Sequence, residues 1–421
     1  MSEEHLEALG AAGSDAAASE ARAARAASID ARLLRRLLDA LGRPPVRVDL
    51  WNGESLATRD ATPATIRIHT RAALYGLLLN PELHFGDAYA DGTVSVEGDL
   101  VQLLEDAYRV MPRGSSGLLR RVSGWLNGER RNTPAGSRRN IHRHYDLGND
   151  FYRLWLDRDM LYTCAYFSTR AATLEEAQTA KLEHVCRKIR LRAGETVYEA
   201  GCGWGAFALY AAQRHGAKVR AFNISREQVA FARERAKSLG LEGRVEFIED
   251  DYRSMSGRCD AFVSIGMLEH VGCEHYRELG AVIDRCLERD GRGLVHSIGR
   301  DRAEALNAWI GKRIFPGAYP PSLREMMDIF EPAGLSVLDV ENLRLHYALT
   351  LRHWLERFEA ARERVRAMYD ERFVRTWRLY LAGSIAAFNA GALQLFQVVF
   401  NRSGENDVPW TREHLYPPTA R

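Results

Sequence analysis

The chain has 421 residues and a formal net charge of +2, from 58 Lys and Arg against 56 Asp and Glu. A chain of this length is too long for one small core and predicts two or three units, at about 150 residues per domain. The nearly neutral balance argues against nucleic acid as an obligatory partner, because proteins that bind phosphate backbones usually carry a strong basic excess.

Cysteine spacing and hydropathy exclude two further classes. The six cysteines form no C-x-x-C pair and no secretory apolar segment precedes them, so we expect reduced thiols in a cytoplasmic protein, with no zinc site. No apolar run reaches the roughly 18 residues needed to cross a bilayer. The nearest run, 381–400, is interrupted by Asn389, Gln394 and Gln397, and it predicts a buried helix.

The N-terminal part begins with a polar arm. Residues 1–27 are mainly Ala, Ser, Glu and Arg, which predicts disorder because little apolar surface offsets the entropy of ordering. Ser28 then predicts the cap of an amphipathic helix that stops at Gly42. The apolar face of this helix would contain Ile29, Leu33, Leu34, Leu37, Leu38 and Leu41, opposite Arg32, Arg35 and Arg36. Such a helix either contacts a membrane surface or packs on its own domain.

Short alternating runs at 46–50 and 65–69 predict strands, and a turn-rich stretch follows at 83–96. Together these features predict a small α+β domain over residues 28–112. Residues 113–139 are rich in Arg, Gly, Ser and Asn and predict a linker. This linker either touches a membrane or a partner, or is a solvated basic loop.

The stretch 196–207 joins a short apolar strand to a helix through Gly201, Gly203 and Gly205. Glycines let the backbone turn sharply and let a ligand approach the N–H groups at the helix mouth. A G-x-G-x-G turn suits a dinucleotide or S-adenosylmethionine. A nicotinamide site usually has a carboxylate at the end of the second strand. Here that strand ends in Phe-Asn-Ile-Ser at 222–225, and Gln228 is a candidate for a ribose contact.

The second domain is predicted to span 140–421 and to be a doubly wound α/β sheet. Candidate strands alternate with helices at 196–199, 219–222, 245–249, 261–264 and 293–298. The region after Arg302 is predicted to hold an insertion and C-terminal helices. It is rich in aromatic residues that either wall an apolar cavity or form ordinary core. The residues concerned are Trp309, Ile314, Phe315, Tyr319, Trp354, Phe358, Tyr369, Phe373, Trp377 and Tyr380.

Three blocks carry candidate chemistry. Residues 142–152 with 162–167 alternate polar and aromatic side chains where a lid over the cofactor would lie. Glu269 and His270 follow the fourth strand, at the edge where ligands bind in open α/β sheets. His296 lies in the next strand. The ordinary alternatives are a core histidine and a helix cap, so no block alone establishes a site.

The blocks together are more specific. Gly-Cys-Gly-Trp-Gly at 201–205, Tyr-Thr-Cys-Ala-Tyr-Phe at 162–167, Glu-His-Val-Gly at 269–272, His-Ser-Ile-Gly at 296–299 and Gln-Leu-Phe-Gln-Val-Val-Phe at 394–400 occur in one chain. In this set and order the sequence resembles the cyclopropane-fatty-acyl-phospholipid synthases, from about His142 to the end. The segment 85–92 resembles the smaller N-terminal domain of that family. The implied fold is a class I S-adenosylmethionine-dependent methyltransferase, a Rossmann-like α/β sheet.

The resemblance implies transfer of the methyl group of S-adenosylmethionine to a cis double bond of a phospholipid acyl chain, followed by closure of a cyclopropane ring. The implied bicarbonate site consists of Cys164, Glu269, His296, Tyr347 and the backbone around Ile298. The implied cofactor contacts are Tyr162, Thr163, Glu199, Gly201, Cys202, Gly203, Asn223, Gln228, Asp251 and Tyr252. Glu199 stands where Asp is usual and Thr163 where Ser is usual, and both keep the needed oxygen.

Chemistry agrees with these implications. Methylation of an alkene leaves a carbocation, so the pocket should exclude water and carry aromatic faces. We expect a phospholipid membrane as the partner, peripheral association with its inner face, and a homodimer. Three alternatives stay open: a methyl-branched or methylene product, methylation of a small molecule, and a lipid-binding protein that has lost chemistry.

Overall fold

The computed structural model describes residues 28–60, 62–111 and 147–416. The predicted arm at 1–27, the linker at 113–139 and the start of the lid block at 142–146 lie outside this part of the chain. The structure divides between Ser115 and Ser116 into two compact units.

The N-terminal unit is a four-stranded sheet with helices. Its helices are α1 (Ile29–Ala40), α2 (Arg71–Leu79), α3 (Pro81–Asp91) and α4 (Leu100–Val110). Its strands are β1 (Arg47–Leu50), β2 (Ser55–Ala57), β3 (Ala64–Ile68) and β4 (Val94–Gly98), in the order β2-β1-β3-β4. Only β1 and β3 are parallel, so the unit mixes hairpin and crossover connections as an α+β fold does.

Helix α1 begins where the sequence predicts. The Ser28 hydroxyl accepts a hydrogen bond from the Ala31 N–H and so caps the helix. Leu34 and Leu38 are buried in the core of this unit, and the helix therefore packs on its own domain along this stripe. The prediction is wrong for Ile29, whose side chain is 60% exposed.

The stretch 83–96 is not a run of turns. Asn80 accepts a hydrogen bond from the Leu83 N–H, Pro81 occupies the first helical position, and α3 continues to Asp91. Gly92, at a φ of 78°, then reverses the chain into β4. The helix was missed because its Gly, Asp and Tyr content resembles that of turns, whereas Pro at the first position is a helix-start signal.

The second unit is built on a seven-stranded sheet. Its strands are β5 (Thr196–Ala200), β6 (Lys218–Asn223), β7 (Val245–Glu249), β8 (Cys259–Ile265), β9 (Leu287–Gly299), β10 (Leu335–Asn342) and β11 (Gln394–Arg402). Its helices are α5 (Asn149–Tyr152), α6 (Leu174–Lys188), α7 (Ala206–His215), α8 (Arg226–Ser238), α9 (Tyr276–Cys286), α10 (Leu323–Phe330), α11 (Arg344–Ala360), α12 (Arg362–Met368) and α13 (Glu371–Asn389).

The strand order is β10-β11-β9-β8-β5-β6-β7, and only β11 runs against its neighbours. The chain reverses its direction of travel across the sheet between β5 and β8, which creates the crevice where open α/β sheets bind ligands. Val197, Ala261 and Leu294 are buried in the centre of the sheet because helices cover both faces. The predicted doubly wound α/β class is confirmed.

The end of the chain differs from the prediction. The run 381–400 is not one buried helix, since α13 ends at Asn389 and β11 begins at Gln394. Gly391, at a φ of 76°, makes the turn between them. The β-branched pair Val398 and Val399 then favours a strand. No helix in the described residues is long and apolar enough to cross a membrane.

Candidate active site

The glycine turn after β5 has the close approaches that glycine permits. Gly201 and Gly205 have φ angles of 81° and 83°, and a Cβ at either would lie within 2.8 Å of Met267 or 2.6 Å of Phe247. Gly203 has a φ of 53°, and a Cβ there would meet nothing within 4 Å. Packing therefore excludes side chains at the two outer glycines, whereas the middle glycine borders open space that a ligand can fill.

Two amides of this turn do not face a ligand. The N–H groups of Gly201 and Cys202 both donate to the Phe222 carbonyl, at 2.9 and 3.1 Å. These bonds tie the turn to the end of β6. The neighbouring strand therefore takes these two amides, and the expectation of a ligand at the N–H groups of the helix mouth, near Ala206, stays a prediction.

A cavity of about 130 Å³ lies against the turn at the carboxyl ends of the central strands. The ten residues predicted for cofactor binding all line it: Tyr162, Thr163, Glu199, Gly201, Cys202, Gly203, Asn223, Gln228, Asp251 and Tyr252. The structure thus brings the whole predicted set together, although 89 positions separate Thr163 from Tyr252 in the chain. Their contact with a cofactor stays a prediction.

Hydrogen bonds fix the polar wall of this cavity. The Asn223 side-chain amide donates to Gln228 Oε1 at 2.8 Å and to the Gly203 carbonyl at 3.2 Å. On the far wall, Arg253 pairs with Asp251 at 3.1 Å, and its guanidinium lies 4.9 Å from the centre of the Tyr252 ring. The cavity therefore presents prepositioned amide and carboxylate groups, which suits the hydroxyl and amine groups of a nucleoside.

One residue of this wall was missed by the sequence analysis. Lys181 of α6 is fully buried, lines the cavity and donates from Nζ to Thr163 Oγ1 at 2.9 Å. Burial lowers its pKa to about 8, although the charges of Asp157 and Glu199 oppose the shift. Its position in the helix was the available signal, because Ala177, Lys181 and Val185 follow one another at the spacing of the buried face.

Glu199, at the end of β5, is buried beside this lysine. Burial raises the pKa of its carboxyl to about 8, against the opposing charge of Lys181. Its Oε2 atom has no hydrogen-bond partner among the described residues. A buried carboxylate oxygen of this kind is costly unless a donor reaches it, so the residue fits the amino group of a ligand.

The residues predicted for the bicarbonate site form a second group. The Ile298 N–H donates to Glu269 Oε1 at 2.7 Å and fixes that carboxyl against β9. His296 and Ile298 are two positions apart, so their side chains share one face of the strand. Burial raises the pKa of Glu269 to about 7 and lowers that of His296 well below its ordinary value, so the imidazole is neutral at physiological pH.

Backbone contacts of Leu343 link Cys164 and Tyr347 to the strand that carries Ile298. The Cys164 Sγ is 3.9 Å from the Leu343 carbonyl, which also accepts the Tyr347 N–H at 3.1 Å. The Leu343 N–H donates to the Leu395 carbonyl, and Leu395 pairs with Ile298 across the sheet. Burial raises the pKa of the Cys164 thiol, so it stays protonated at neutral pH and is a donor rather than an anion.

Two buried atoms of this group have no protein partner in the described part of the chain, Glu269 Oε2 and His296 Nε2. Both side chains are less than one tenth exposed. Buried polar atoms nearly always have a hydrogen-bond partner. The carboxyl oxygen and the imidazole nitrogen therefore fit a small ligand whose oxygens both donate and accept hydrogen bonds. Bicarbonate has this chemistry.

Aromatic rings connect the two groups. Tyr162 lines the cavity, and the centre of its ring lies 5.2 Å from the ring centre of Trp155 and 5.3 Å from that of Trp354. Trp354 in turn lies 5.9 Å from Tyr347 of the second group. The Tyr162 and Tyr380 hydroxyls are 2.7 Å apart. We call Tyr162, Trp155, Trp354, Tyr347 and Tyr380 the aromatic cluster.

The ten aromatic and apolar residues predicted after Arg302 as a cavity wall are absent from the described lining of this cavity. Several instead pack on the lid block. Phe373 and Trp377 of α13 lie 5.3 and 5.0 Å from Phe151 of α5, in edge-to-face contact. Asn149 of the same short helix accepts a hydrogen bond from the Trp204 indole at 2.7 Å. The described part of the lid block therefore packs against the glycine turn.

Strand order, glycine turn and crevice together define a class I S-adenosylmethionine-dependent methyltransferase, an assignment that solved structures of this class support. The chain belongs to the mycolic acid cyclopropane synthetase family, whose model matches residues 133–398. A second model, for a domain of unknown function called DUF7884, matches residues 33–112.

Relatives with names span most of the chain. A probable fatty acid methyltransferase of Pseudomonas putida is 37% identical over 88% of this chain and 96% of its own. The cyclopropane-fatty-acyl-phospholipid synthase of Escherichia coli K12 is 34% identical over 86% of this chain and 94% of its own. The structure of the cyclopropane synthase MmaA2 from Mycobacterium tuberculosis matches with a TM-score of 0.60 and 28% identity, over 62% of this chain and 97% of MmaA2.

Proposed function

We propose that this protein converts the cis double bond of unsaturated phospholipid acyl chains into a cyclopropane ring. S-adenosylmethionine is the methyl donor, and bicarbonate binds at Cys164, Glu269, His296, Ile298 and Tyr347. The observation that carries the proposal is that two buried atoms, Glu269 Oε2 and His296 Nε2, have no hydrogen-bond partner among the described residues. The Escherichia coli relative, named as a synthase of this kind, supports the substrate class.

The residues around the cavity act by holding the donor in place. When bound, S-adenosylmethionine supplies an electrophilic methyl group, and bicarbonate supplies a small base. An alkene is a weak nucleophile, so fixed orientation matters, and positioning of reactants supplies up to roughly 7–11 kcal/mol in favourable cases. Gly203 permits close approach, while Asn223 and Gln228 present prepositioned amide groups.

The aromatic cluster suits the charge that develops. As the bond between sulfur and the methyl carbon breaks and leaves S-adenosylhomocysteine, the methyl carbon would bond to one alkene carbon and leave a positive charge on the other. The faces of Tyr162, Trp354 and Tyr347 can stabilise this charge. Trp354 and Tyr347 are buried, which helps to exclude water that would capture the cation. Loss of one proton from the transferred methyl group then forms the second carbon–carbon bond and closes the ring.

The second group of residues holds the base where that proton leaves. The Ile298 N–H fixes one oxygen of Glu269, which leaves the other oxygen to accept a hydrogen bond. The His296 ring is neutral because it is buried, and its Nε2 is available for a hydrogen bond with the ligand. Glu269→Gln should therefore abolish ring formation with or without added bicarbonate. Full activity of this variant would exclude the proposed base site.

A second product needs a test because several relatives are named for methyl transfer to fatty acids. Two that cover most of this chain are the Pseudomonas putida protein and the tuberculostearic acid methyltransferase UfaA1 of Mycobacterium tuberculosis, 34% identical over 91% of this chain. The same cation gives a methylene or methyl-branched chain when a different proton is lost. We favour the ring, because the residues predicted for the bicarbonate site are all present in the chain.

The experiment is an assay of lipid products. Purified protein is incubated with isotope-labelled S-adenosylmethionine and vesicles of unsaturated phospholipid, and the acyl chains are analysed by mass spectrometry before and after hydrogenation. A ring and a methylene group both add one carbon, but mild hydrogenation saturates only the methylene. Label in a water-soluble amine or hydroxyl compound, with none in lipid, would refute the proposal in favour of a small-molecule methyltransferase.

We also propose peripheral association with the inner face of the cell membrane, and a homodimer. Exposed Arg32, Arg35, Arg36 and Ile29 on α1 support membrane contact, because basic and apolar groups together suit an anionic lipid surface. Vesicle sedimentation with and without anionic lipid tests the first proposal. Light scattering during gel filtration tests the second.

A further inference from the structure

Helix α6 holds the segment that joins the two groups of site residues. Gln178 and Lys181 lie three positions apart and therefore face the same side of the helix. The Gln178 side-chain amide donates to the Thr163 carbonyl at 2.9 Å, and Lys181 donates to the Thr163 hydroxyl oxygen at 2.9 Å. One helix face thus fixes both the backbone and the side chain of Thr163, which stands between Tyr162 and Cys164.

The bond from Lys181 also sets the direction of the Thr163 hydroxyl. A hydroxyl has one proton to donate, and an ammonium has only donors. Because Lys181 occupies a lone pair of Oγ1, the hydroxyl proton is left for an acceptor on another side. Thr163 lines the cavity, so a carboxylate bound there is a fitting acceptor.

The same ammonium is the cation that faces Glu199. Lys181 is fully buried and Glu199 is 2% exposed, so solvent does not screen the interaction between them. Asp157 and Cys164 also face the lysine, but Asp157 already accepts the N–H groups of Asp159 and Leu161, and the Cys164 thiol is protonated. Glu199 retains an oxygen without a partner in the described residues. A buried carboxyl ionises more readily when a cation is near, and the ammonium group of a bound ligand would add a second cation to Lys181.

We propose that Lys181 is a positioning residue for the methyl donor, which orients the Thr163 hydroxyl toward the donor's carboxylate and favours the ionised form of Glu199 when the donor's ammonium group binds. The inference rests on the proposed use of this cavity for S-adenosylmethionine. It adds a residue that never has to touch the cofactor: Lys181 acts through Thr163 and Glu199, which together match the two charges of an amino-acid end.

The matched test compares two buried lysines of one helix. Lys188 lies two turns further along α6, is 4% exposed and pairs with Glu341 at 2.7 Å. Lys181→Met and Lys188→Met each remove one buried ammonium and keep a straight side chain. We measure the dissociation constant of S-adenosylhomocysteine by calorimetry and the KM for S-adenosylmethionine, after checking the fold by circular dichroism.

Lys181→Met is expected to weaken S-adenosylhomocysteine binding by at least about tenfold, the scale of losing one partner of a buried charge pair. Lys188→Met should change it by less than about twofold, since Lys188 does not line the cavity. Equal binding by Lys181→Met and wild type would overturn the inference. So would an equal loss in both variants, because a general loss of packing would then explain it.

A double-mutant cycle identifies the residues through which Lys181 acts. In a Glu199→Gln background the effect of Lys181→Met should shrink several-fold, because the carboxylate it supports is gone. Full additivity with Glu199→Gln and also with Thr163→Val would contradict action through these residues. If Lys181→Met does not fold, Thr163→Ser and Thr163→Val replace it: the serine keeps a hydroxyl for Lys181 to orient and should bind normally, and the valine should not.

The binding assay contains no lipid, so it tests the role of Lys181 independently of the proposed reaction on phospholipid. Wild type that binds S-adenosylhomocysteine but leaves lipid unmodified would refute the proposed function and leave the role of Lys181 standing. Wild type that binds no S-adenosylhomocysteine would refute both.

Discussion

Gln397 and His296 are directly paired across the antiparallel strands β11 and β9, and Gln397 Nε2 lies 3.0 Å from His296 Nδ1. An amide nitrogen only donates, so Nδ1 accepts this bond. Burial lowers the pKa of His296 well below its ordinary value, so the ring carries one proton. That proton is therefore on Nε2, the atom without a partner in the described residues.

This relationship predicts that Gln397→Leu lowers kcat by about tenfold or more, because the imidazole loses the bond that fixes its tautomer. The KM for S-adenosylmethionine should stay the same, since Gln397 does not line the cofactor cavity. Steady-state kinetics with labelled donor and lipid vesicles measures both constants. Asn401→Leu is the control, a buried amide on the same strand whose side chain donates to the Glu405 carbonyl. A raised KM with normal kcat would contradict the prediction.

The buried carboxyl of Glu269 predicts a change of stability with pH. Burial raises its pKa from 4.5 to about 7, so the folded protein binds this proton more tightly than the unfolded chain. The resulting stabilisation is complete below about pH 4.5 and is lost as the pH rises through about 7. Glu269→Gln cannot titrate, so it should gain about 3 kcal/mol relative to wild type between these two pH values.

Urea unfolding of both proteins at several pH values measures that difference. Glu274→Gln, at an exposed carboxylate in the following turn, controls for the loss of a surface charge. A difference between Glu269→Gln and wild type that stays constant from about pH 4.5 to about pH 8 would show that the carboxyl is not buried as described.

The sequence predicted the sheet where its signals were local. The strands Thr196–Ala200 and Val245–Glu249 are short runs beside glycines or helices, and their bounds were nearly right. The helix start at Ser28 was right because a capping hydroxyl acts on its own neighbours. The ten cofactor residues could be named together because the resemblance to a known family carried them over position by position.

Features that depend on distant partners were missed. The strand Gln394–Arg402 is buried on both sides, so it lacks alternation and resembles a buried helix. The role of Lys181 depends on Thr163 and Glu199, and a lysine on a helix gives no local sign of either contact. The contacts that join Cys164 to Tyr347 run through the Leu343 backbone, which no side-chain motif records.

The glycine turn predicts two different outcomes for one substitution. Gly203→Ala should fold, with a loss of only about 1 kcal/mol from its φ of 53°, because its Cβ would enter open space, but it should weaken S-adenosylhomocysteine binding by filling that space. Gly205→Ala should lose about 2–4 kcal/mol of stability, because its φ is positive and its Cβ would overlap Phe247 and Ala232. Calorimetric binding and thermal melting of the two variants separate these effects. Normal affinity in Gly203→Ala would place the donor elsewhere.

Glu341 predicts the opposite dependence on pH from Glu269. Burial acts to raise its pKa, but the hydrogen bond with His184 and the charge of Lys188 outweigh burial and lower the pKa from 4.5 to about 2. The stabilisation is therefore present above about pH 4.5 and is lost as the pH falls through about 2. Allowing for partial exposure, we expect wild type to exceed Glu341→Gln by about 2 kcal/mol near pH 6.

More than half of this stability advantage should be lost by about pH 3. At that pH the Glu341 carboxyl is protonated in the unfolded chain but still mostly ionised in the folded protein. Urea midpoints of the two proteins between about pH 6 and about pH 3 measure it. Lys188→Met should reduce the advantage, since it removes one of the two partners that hold the carboxylate charged. An advantage that does not change across this range would mean that Glu341 is not held as an anion by His184 and Lys188.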